Sequence, residues 1–575
     1  MSDHWGTPPQ RPEPSSQPGQ PSEPGQPSQP SQPGQPEILS NQPGFSPPPG
    51  TSPYAPPTGA THRFGDILGT PGPAPRAAGK GKLLAIGVGV VAVAGIGVGA
   101  AFAAGALGHD SSQPDKLVPA TAVGYVSIDL DPGLGQKVDA LRFLRKFPSA
   151  KASLGTTDDI RKWAFEQATK DDKLSKVSYD ADVKPWIGDK FGLAVVPGAK
   201  AGSPPSVVVV IQVTDEGKAK AGLKKLITKP SKGTCSVASG YAVCAETQSI
   251  LTTVQAAAAK QPLADDAHFK ADVSSIGKRG IALGWGDLDK VTRLVPDASQ
   301  ALGGVAGGGL RSFGPLGQFG QFGAGGKAGR VVATLRFEGG NLELTGKTMG
   351  GKAQEGAGSG GTGVEQLPNK TVAAFGASID DQAIAKAYAS MQQQLKAVGG
   401  ADALTQVQQE LASRGFRLPQ DLQALVGTKF EVAFGGLGSD GTPLVGVRSN
   451  ADAAKAGKVL DKLSAQLSQA GLPFALRHVP AAKGYAVALD ERYAAQLAAG
   501  GHLGDQADFK AAVPDAAKAQ VVVYVNVAQL LSGPTLGAFG TGPVSPNLKA
   551  LGSVGLSATS GSDGSATFRL KVTTR

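Results

Sequence analysis

The sequence predicts an α+β fold: a disordered tail, one transmembrane helix, then a tandem duplicated ectodomain with largely antiparallel sheets packed by helices. Three observations predict it. Residues 83–107 carry no charged and no strongly polar side chain, and about 20 such residues suffice for a helix to cross a bilayer. Residues 1–82 are rich in Pro, Gly and Gln and repeat Gln-Pro-Gly and Gln-Pro-Ser units. Beyond the apolar run, strand, hairpin and helix signals occur twice in the same order.

The tail (1–82) cannot bury enough apolar surface to offset the entropy of ordering it, so it is expected as an extended, partly polyproline-like segment. Its least repetitive patch, residues 61–69, is the candidate local contact motif. The tail holds five bases and five acids, so the whole net charge of +10 belongs to the rest of the chain. There the Lys are dispersed, as on a solvated surface that attracts anionic polymers or lipid heads weakly; no nucleic-acid partner is expected.

Arg76, Lys80 and Lys82 precede the apolar run, and His109 and Asp110 follow it. The positive-inside rule then places the N-terminus in the cytoplasm and the C-terminal domain outside, at the plasma membrane, with the lipid bilayer as a partner. Ala101-Phe102-Ala103 imitates a cleavage site, but the leader and the apolar run are both long for a signal peptide, which favours an uncleaved signal anchor. Gly95 and Gly99 are spaced as GxxxG, the spacing through which two membrane helices approach closely and form a homodimer.

From residue 118 a β-branched strand signal leads into Leu134, Val138, Leu141 and Leu144 at helical spacing. Thr214 and Asp215 stand before a helix as caps, and Ser239-Gly240 marks a hairpin. A second hairpin turns at Gly339-Gly340. The pattern then recurs, with Pro368 over Pro119, Phe430 over Phe191, Tyr485 over Tyr241 and Phe509 over Phe269. The offsets are nearly constant at about 240–250 residues, far too long for a solenoid repeat. The domains are therefore 108–350 and 367–575, joined by a Gly-rich linker at 351–366. In the second copy Ile384, Tyr388, Met391, Leu395 and Val398 draw one apolar helical stripe.

Cys235 and Cys244 are the two cysteines and flank one hairpin, which predicts a cross-strand disulfide. The second copy has Ala488 where Cys244 stands, so the bond would staple one copy without defining the fold. Six His are scattered with no metal-ligand spacing. Gly-Lys-Thr at 346–348 lacks the glycine a phosphate loop needs at Asn341, and no GxSxG elbow is present. Asp129, Asp131, Asp287, Asp380 and Asp381 end strands; paired carboxylates can do acid–base chemistry, but the helical runs that follow favour capping. No catalytic residue, metal or cofactor is expected. Phe313, Phe319 and Phe322 stand on a Gly-rich loop (302–329), where aromatic side chains can dip into lipid or grip a partner.

The tail, the single apolar segment, and paired units carrying VPATAVGYVSIDLDP, a Trp186-to-Phe191 strand entry and an HFKADV segment before a strand together resemble domain of unknown function 3352. The resemblance covers about residues 116–575. It implies location and architecture: the family consists of envelope proteins of high-GC Gram-positive bacteria, with no assigned activity and no catalytic residues. The sequence thus reads as a single-pass envelope protein whose duplicated domain binds an envelope protein, lipid or anionic polymer. Its alternatives are a scaffold linking cytoplasmic partners to an external assembly, and a cryptic envelope hydrolase. Filled cores with a flat apolar patch would favour scaffolding; converging carboxylates with perturbed pKa would favour the hydrolase.

Overall fold

The computed structural model describes residues 113–131, 133–148, 161–162, 165, 177–198, 203–227, 233–294, 329–351, 358–397, 401–471, 475–532 and 546–575. The first half runs β1 (Gly124–Asp129), α1 (Leu134–Leu144), β2 (Ile187–Val196), β3 (Ser206–Val213), α2 (Glu216–Leu226), β4 (Thr234–Ala238), β5 (Tyr241–Ala245), α3 (Gln248–Lys260), α4 (Ala267–Ser275), β6 (Ala282–Asp287), α5 (Leu288–Leu294), β7 (Arg330–Glu338) and β8 (Asn341–Met349). The second half opens with β9 (Ala373–Ser378), α6 (Ala383–Ala397), α7 (Ala401–Ser413), α8 (Gln420–Val426), β10 (Lys429–Leu437), β11 (Pro443–Ser449) and α9 (Ala453–Gln469). It closes with β12 (Arg477–Pro480), β13 (Tyr485–Ala488), α10 (Glu491–Ala499), α11 (Ala507–Ala512), β14 (Val521–Asn526), α12 (Val527–Ser532), β15 (Leu551–Ser560) and β16 (Ala566–Thr574).

The strands form one 16-stranded sheet, antiparallel at every pairing in the two halves and at their junction. From β8 outward the order is β7, β6, β1, β2, β3, β5, β4; from β16 outward it is β15, β14, β9, β10, β11, β13, β12. The order is the same, strand for strand, on each side of the β8–β16 seam. The described residues all fall in one compact unit. The two halves share this single sheet.

Alternation along the strands explains how it is packed, because successive side chains point to opposite faces. On the front, Val208 and Val210 join Leu251 and Val254 of α3 and Phe269 and Val273 of α4 in one core. Tyr493 and Leu497 of α10 and Phe509 of α11 make the corresponding front core of the second half. On the back, Val209, Ile211 and Val213 meet Ala219 and Leu223 of α2. Leu460 of α9 and Leu425 of α8 cover Tyr485 and Val487 on that same side, and Phe143 of α1 packs on Phe337. Buried on both faces, β3 is apolar throughout its middle, as its unbroken Val run requires.

Helix starts follow the sequence closely. Asp215 accepts from the Lys218 N–H, Asp266 from Phe269, Asp452 from Lys455 and Asp490 from Tyr493. The strand-end groups cap too: Asp287 accepts from the Lys290 N–H and Asn526 from Gln529. Ser239 and Gly240 have φ of 53° and 75°, the left-handed pair of a tight hairpin turn. Gly222 is required by a close approach: a Cβ there would collide with the Trp186 indole and the Asp182 carbonyl.

Two expectations are corrected. Residues 358–366 are not a free linker: Thr362 and Val364 are fully buried, and Arg448 donates to the carbonyls of Gly363 and Gln366. Second, among the described residues no helix is long and apolar enough to cross a membrane. The longest, α9, has 17 residues, about 26 Å against a hydrocarbon core of about 30 Å, and carries Lys455, Lys458, Asp461 and Lys462 opposite its buried stripe. The expected single-pass topology is corrected on this finding, and with it the lipid-bilayer partner, the homodimer through Gly95 and Gly99, the signal anchor and the plasma-membrane, cell-envelope placement. Residues 83–107, Gly95 and Gly99 included, lie outside the described residues.

Gly222→Ala should cost about 1–3 kcal/mol by overpacking, read from urea denaturation. Replacing both Cys235 and Cys244 by Ser should cost about 2–3 kcal/mol on the chain-entropy account of a short loop, with β4 amides the first to gain hydrogen exchange.

Candidate functional site

Cross-strand register turns the alternation into rows that run across the sheet. On the back, one row passes through Phe191, Ile128, Ala282, Leu335 and Leu344. It crosses the seam into Leu570, Leu556, Val523, Phe375 and Val432. The adjacent row holds Leu193, Val126, Gly284, Ala333 and Gly346, then Phe568, Ala558, Val521, Ala377 and Phe430. Neither row contains a polar side chain. Ten strands at about 4.8 Å make a band about 40 Å long. Apart from Ile128, Gly346 and Ala377, its residues are partly exposed. Among the described residues, α2 covers this face beyond β2, α8 and α9 cover it beyond β10, and the α1 cluster packs on Leu335 and Ala282 at one end of the band. Gly346 lets the Phe568 ring lie flat across the seam, where any Cβ would strike it.

The front of the same seam is charged. Glu343 on β8 is 2 % exposed and sits directly across from Arg336 on β7 and Lys571 on β16. Arg336 donates to it at 2.5 Å and the Thr345 hydroxyl at 2.9 Å; Arg569 Nε and Lys571 Nζ stand 3.6 and 3.8 Å away. Arg569 also reaches Asp515, beyond α11, at 2.5 Å. Burial pushes the Glu343 carboxyl up, but the Thr345 hydroxyl and the three cations outweigh it and hold the group below the usual carboxylate range.

Carboxylates converge at the end of β1 and β2. Burial raises Asp129 and Asp189, and each also feels Asp131. All three have structural work: Asp129 accepts from the Asp131 N–H, which turns the chain toward α1, Asp131 pairs with Lys137, and Asp189 stands 3.6 Å from Arg161. No group of His, Cys, Asp and Glu among the described residues could hold a metal ion.

Of the residues singled out from sequence, Cys235 and Cys244 form a disulfide between β4 and β5 at the sheet edge. Phe313, Phe319 and Phe322 lie outside the described residues. His478 pairs with Asp461 at 3.0 Å on the protein surface. The two back rows and the seam cluster went unread, because each joins residues more than two hundred positions apart. The one signal available was the alternation in β8 and β16, where Glu343, Thr345, Arg569 and Lys571 interleave with Leu342, Leu344, Phe568, Leu570 and Val572.

Residues 83–280 match the family described as Protein of unknown function (DUF3352). The DUF3352 match ends just before β6, so it covers β1 to β5 and not the seam. No curated protein and no solved structure matches the chain. The match is shorter than the 116–575 resemblance expected from sequence, and it carries neither organism nor location.

Because the Glu343 carboxyl is held low, the folded protein binds fewer protons than the unfolded chain below pH 4.5, the group's ordinary value. Its stabilising contribution is complete above that pH and disappears as pH falls through the lower folded-state value. Glu343→Gln should therefore flatten the acid limb of a melting-temperature profile taken from about pH 5 to about pH 3.

Proposed function

We propose that this chain is a non-catalytic docking protein, whose back band receives the apolar face of a helix from a protein partner. The observation that carries the reading is the band itself. Two adjacent rows stay apolar over ten strands while most of their side chains remain partly open to water, and contiguous apolar surface of that extent marks an interaction site. The helices already on this face support a helix as its partner. Where this face is already covered, the covering elements are helices whose apolar stripes lie on the sheet, with Phe143 and Leu144 of α1 on Phe337 the nearest example. A partner helix laid beside α1 would extend that layer and follow helix-in-groove recognition. The filled front cores favour docking over carriage of a small ligand. We further propose that 108–350 and 367–575 descend from one unit, which the matching strand order on the two sides of the seam supports.

Photo-activated cross-linkers placed at Leu335 and Val523 on the back, and at Thr567 on the front, test the docking reading in the full chain inside its own cells. Adducts to the same protein are expected from both back positions and none from Thr567, with the cross-linked peptide mapping to an amphipathic helix. Adducts confined to the chain itself at both back positions would sink the reading. Val523→Lys should cost about 1 kcal/mol or less in stability and remove the adduct formed through Leu335.

A further inference from the structure

The charged seam is over-supplied with cations. Among the described residues, Arg336, Arg569 and Lys571 gather around one carboxylate, Glu343, and a second acid, Asp515, pairs with Arg569. Among the described residues three positive charges thus meet two negative ones, with side-chain exposure of 17 % for Arg336, 28 % for Arg569 and 15 % for Lys571. The Nε atoms of Arg336 and Arg569 are both buried without a hydrogen-bond acceptor among the described residues. Charge held this far from water calls for a counter-ion, and unmet guanidinium donors are costly.

Strand correspondence shows how the cluster sits about the seam. The row Ala282–Leu335–Leu344 occupies the same place in the first half as Val521–Ala558–Phe568 in the second. Thr345 then corresponds to Arg569, and these two residues face each other across β8 and β16. The local two-fold axis therefore passes through that pair. Lys347 and Lys571 stand on opposite sides of it as counterparts, whereas the counterpart of Glu343 is Thr567. Of the three clustered cations only Lys571 is repeated about the axis; Arg336 and Arg569 correspond to Thr559 and Thr345, and the carboxylate is not repeated either. On the front, α4 approaches β7 and β8 from one side and α11 approaches β15 and β16 from the other. The two front cores stay separate, and this polar strip is the floor between them.

We infer that the front of the β8–β16 seam is a binding site for a phosphate-type oxyanion, held by Arg336, Arg569 and Lys571. Guanidinium forks suit the geometry of such an oxyanion, and the ammonium adds a compact charge. Glu343 would share the cations with the ligand and so weaken it, keeping the site stable when empty.

Isothermal calorimetry on the full chain at low ionic strength tests this, with inorganic phosphate, inorganic pyrophosphate and glycerol 3-phosphate titrated separately. Saturable binding of at least one probe is expected. Arg336→Gln and Lys571→Gln should each weaken it about tenfold or more, Lys571→Arg should restore it, and Glu343→Gln should tighten it. Preference for glycerol 3-phosphate over inorganic phosphate would point to a phosphate ester as the ligand, and the reverse to the free ion. The inference is overturned if no probe gives saturable heat up to about 10 mM, an affinity of only about 3 kcal/mol, in both the native chain and Glu343→Gln. It is overturned equally if Lys571→Gln binds as tightly as the native chain. Circular dichroism establishes that each variant is folded, and Arg569→Gln, which removes another of the three proposed anion-binding charges, supplies a second loss-of-charge variant should Lys571→Gln unfold.

Discussion

The backbone ladder between β8 and β16 is the interaction on which the rest depends. Seven residue pairs, from Ala566 opposite Thr348 to Val572 opposite Leu342, join two eight-stranded halves into one sheet. Without that ladder each half would end in a nine-residue strand with an open hydrogen-bonding edge and apolar residues on one face, the kind of edge that aggregates. Pairing these two edges leaves β4 and β12 as the outer strands of the sheet. Both are protected by means suited to short edges: β4 is tied to β5 by the disulfide, and β12 is only four residues long and ends in Pro480.

The ladder also fixes the symmetry. Corresponding strands that pair antiparallel are related by a local two-fold axis, so every row in one half except the one through Thr345 and Arg569 continues into a different row of the other. The halves are nonetheless not interchangeable. At the corner where Ile281 and Phe337 seat α1 in the first half, the second half has Gln520 and Ser560. There the Gln520 side chain bridges the Gly358 carbonyl and the Ser560 backbone and hydroxyl. An apolar helix seat in one half is a polar clasp on the incoming chain in the other, which explains why residues 358–366 are held against the second half.

Two faces of the same pair of strands carry the two proposed contacts. Leu344 and Leu570 point to the back and Glu343, Thr345, Arg569 and Lys571 to the front, one residue apart along each strand. A one-residue slip in the seam would exchange apolar band and charged strip together, so register at β8–β16 is under strong energetic control. Among the described residues, the back band is held mainly by sheet hydrogen bonds and cross-strand packing, with the α1 cluster covering one end of it. The front strip is stabilised by ion pairs whose cations outnumber their acids.

Local rules made much of the fold legible in the sequence. Caps at Asp215, the turn at Ser239-Gly240, the Cys235–Cys244 pair and the internal correspondence of Phe269 with Phe509 all rest on residues near one another in the chain, or on repetition that can be read by eye. These two phenylalanines do sit alike, each 1 % exposed and edge-on to an aromatic ring of the following strand, Trp285 and Tyr524. The single sheet, the burial of residues 358–366 and the seam cluster were not legible. Each depends on which strand edge meets which, and pairing between β8 and β16 brings together residues some 220 positions apart with no local signal of partner or register. The sequence by itself determined the elements, the caps and the disulfide, because these are set by short-range sterics and hydrogen bonding. Only the tertiary structure decided that the halves share one sheet, that an apolar band stays open on one side and that cations gather on the other. The reason is that edge pairing is a long-range choice between backbones, and side-chain pattern alone does not name the partner.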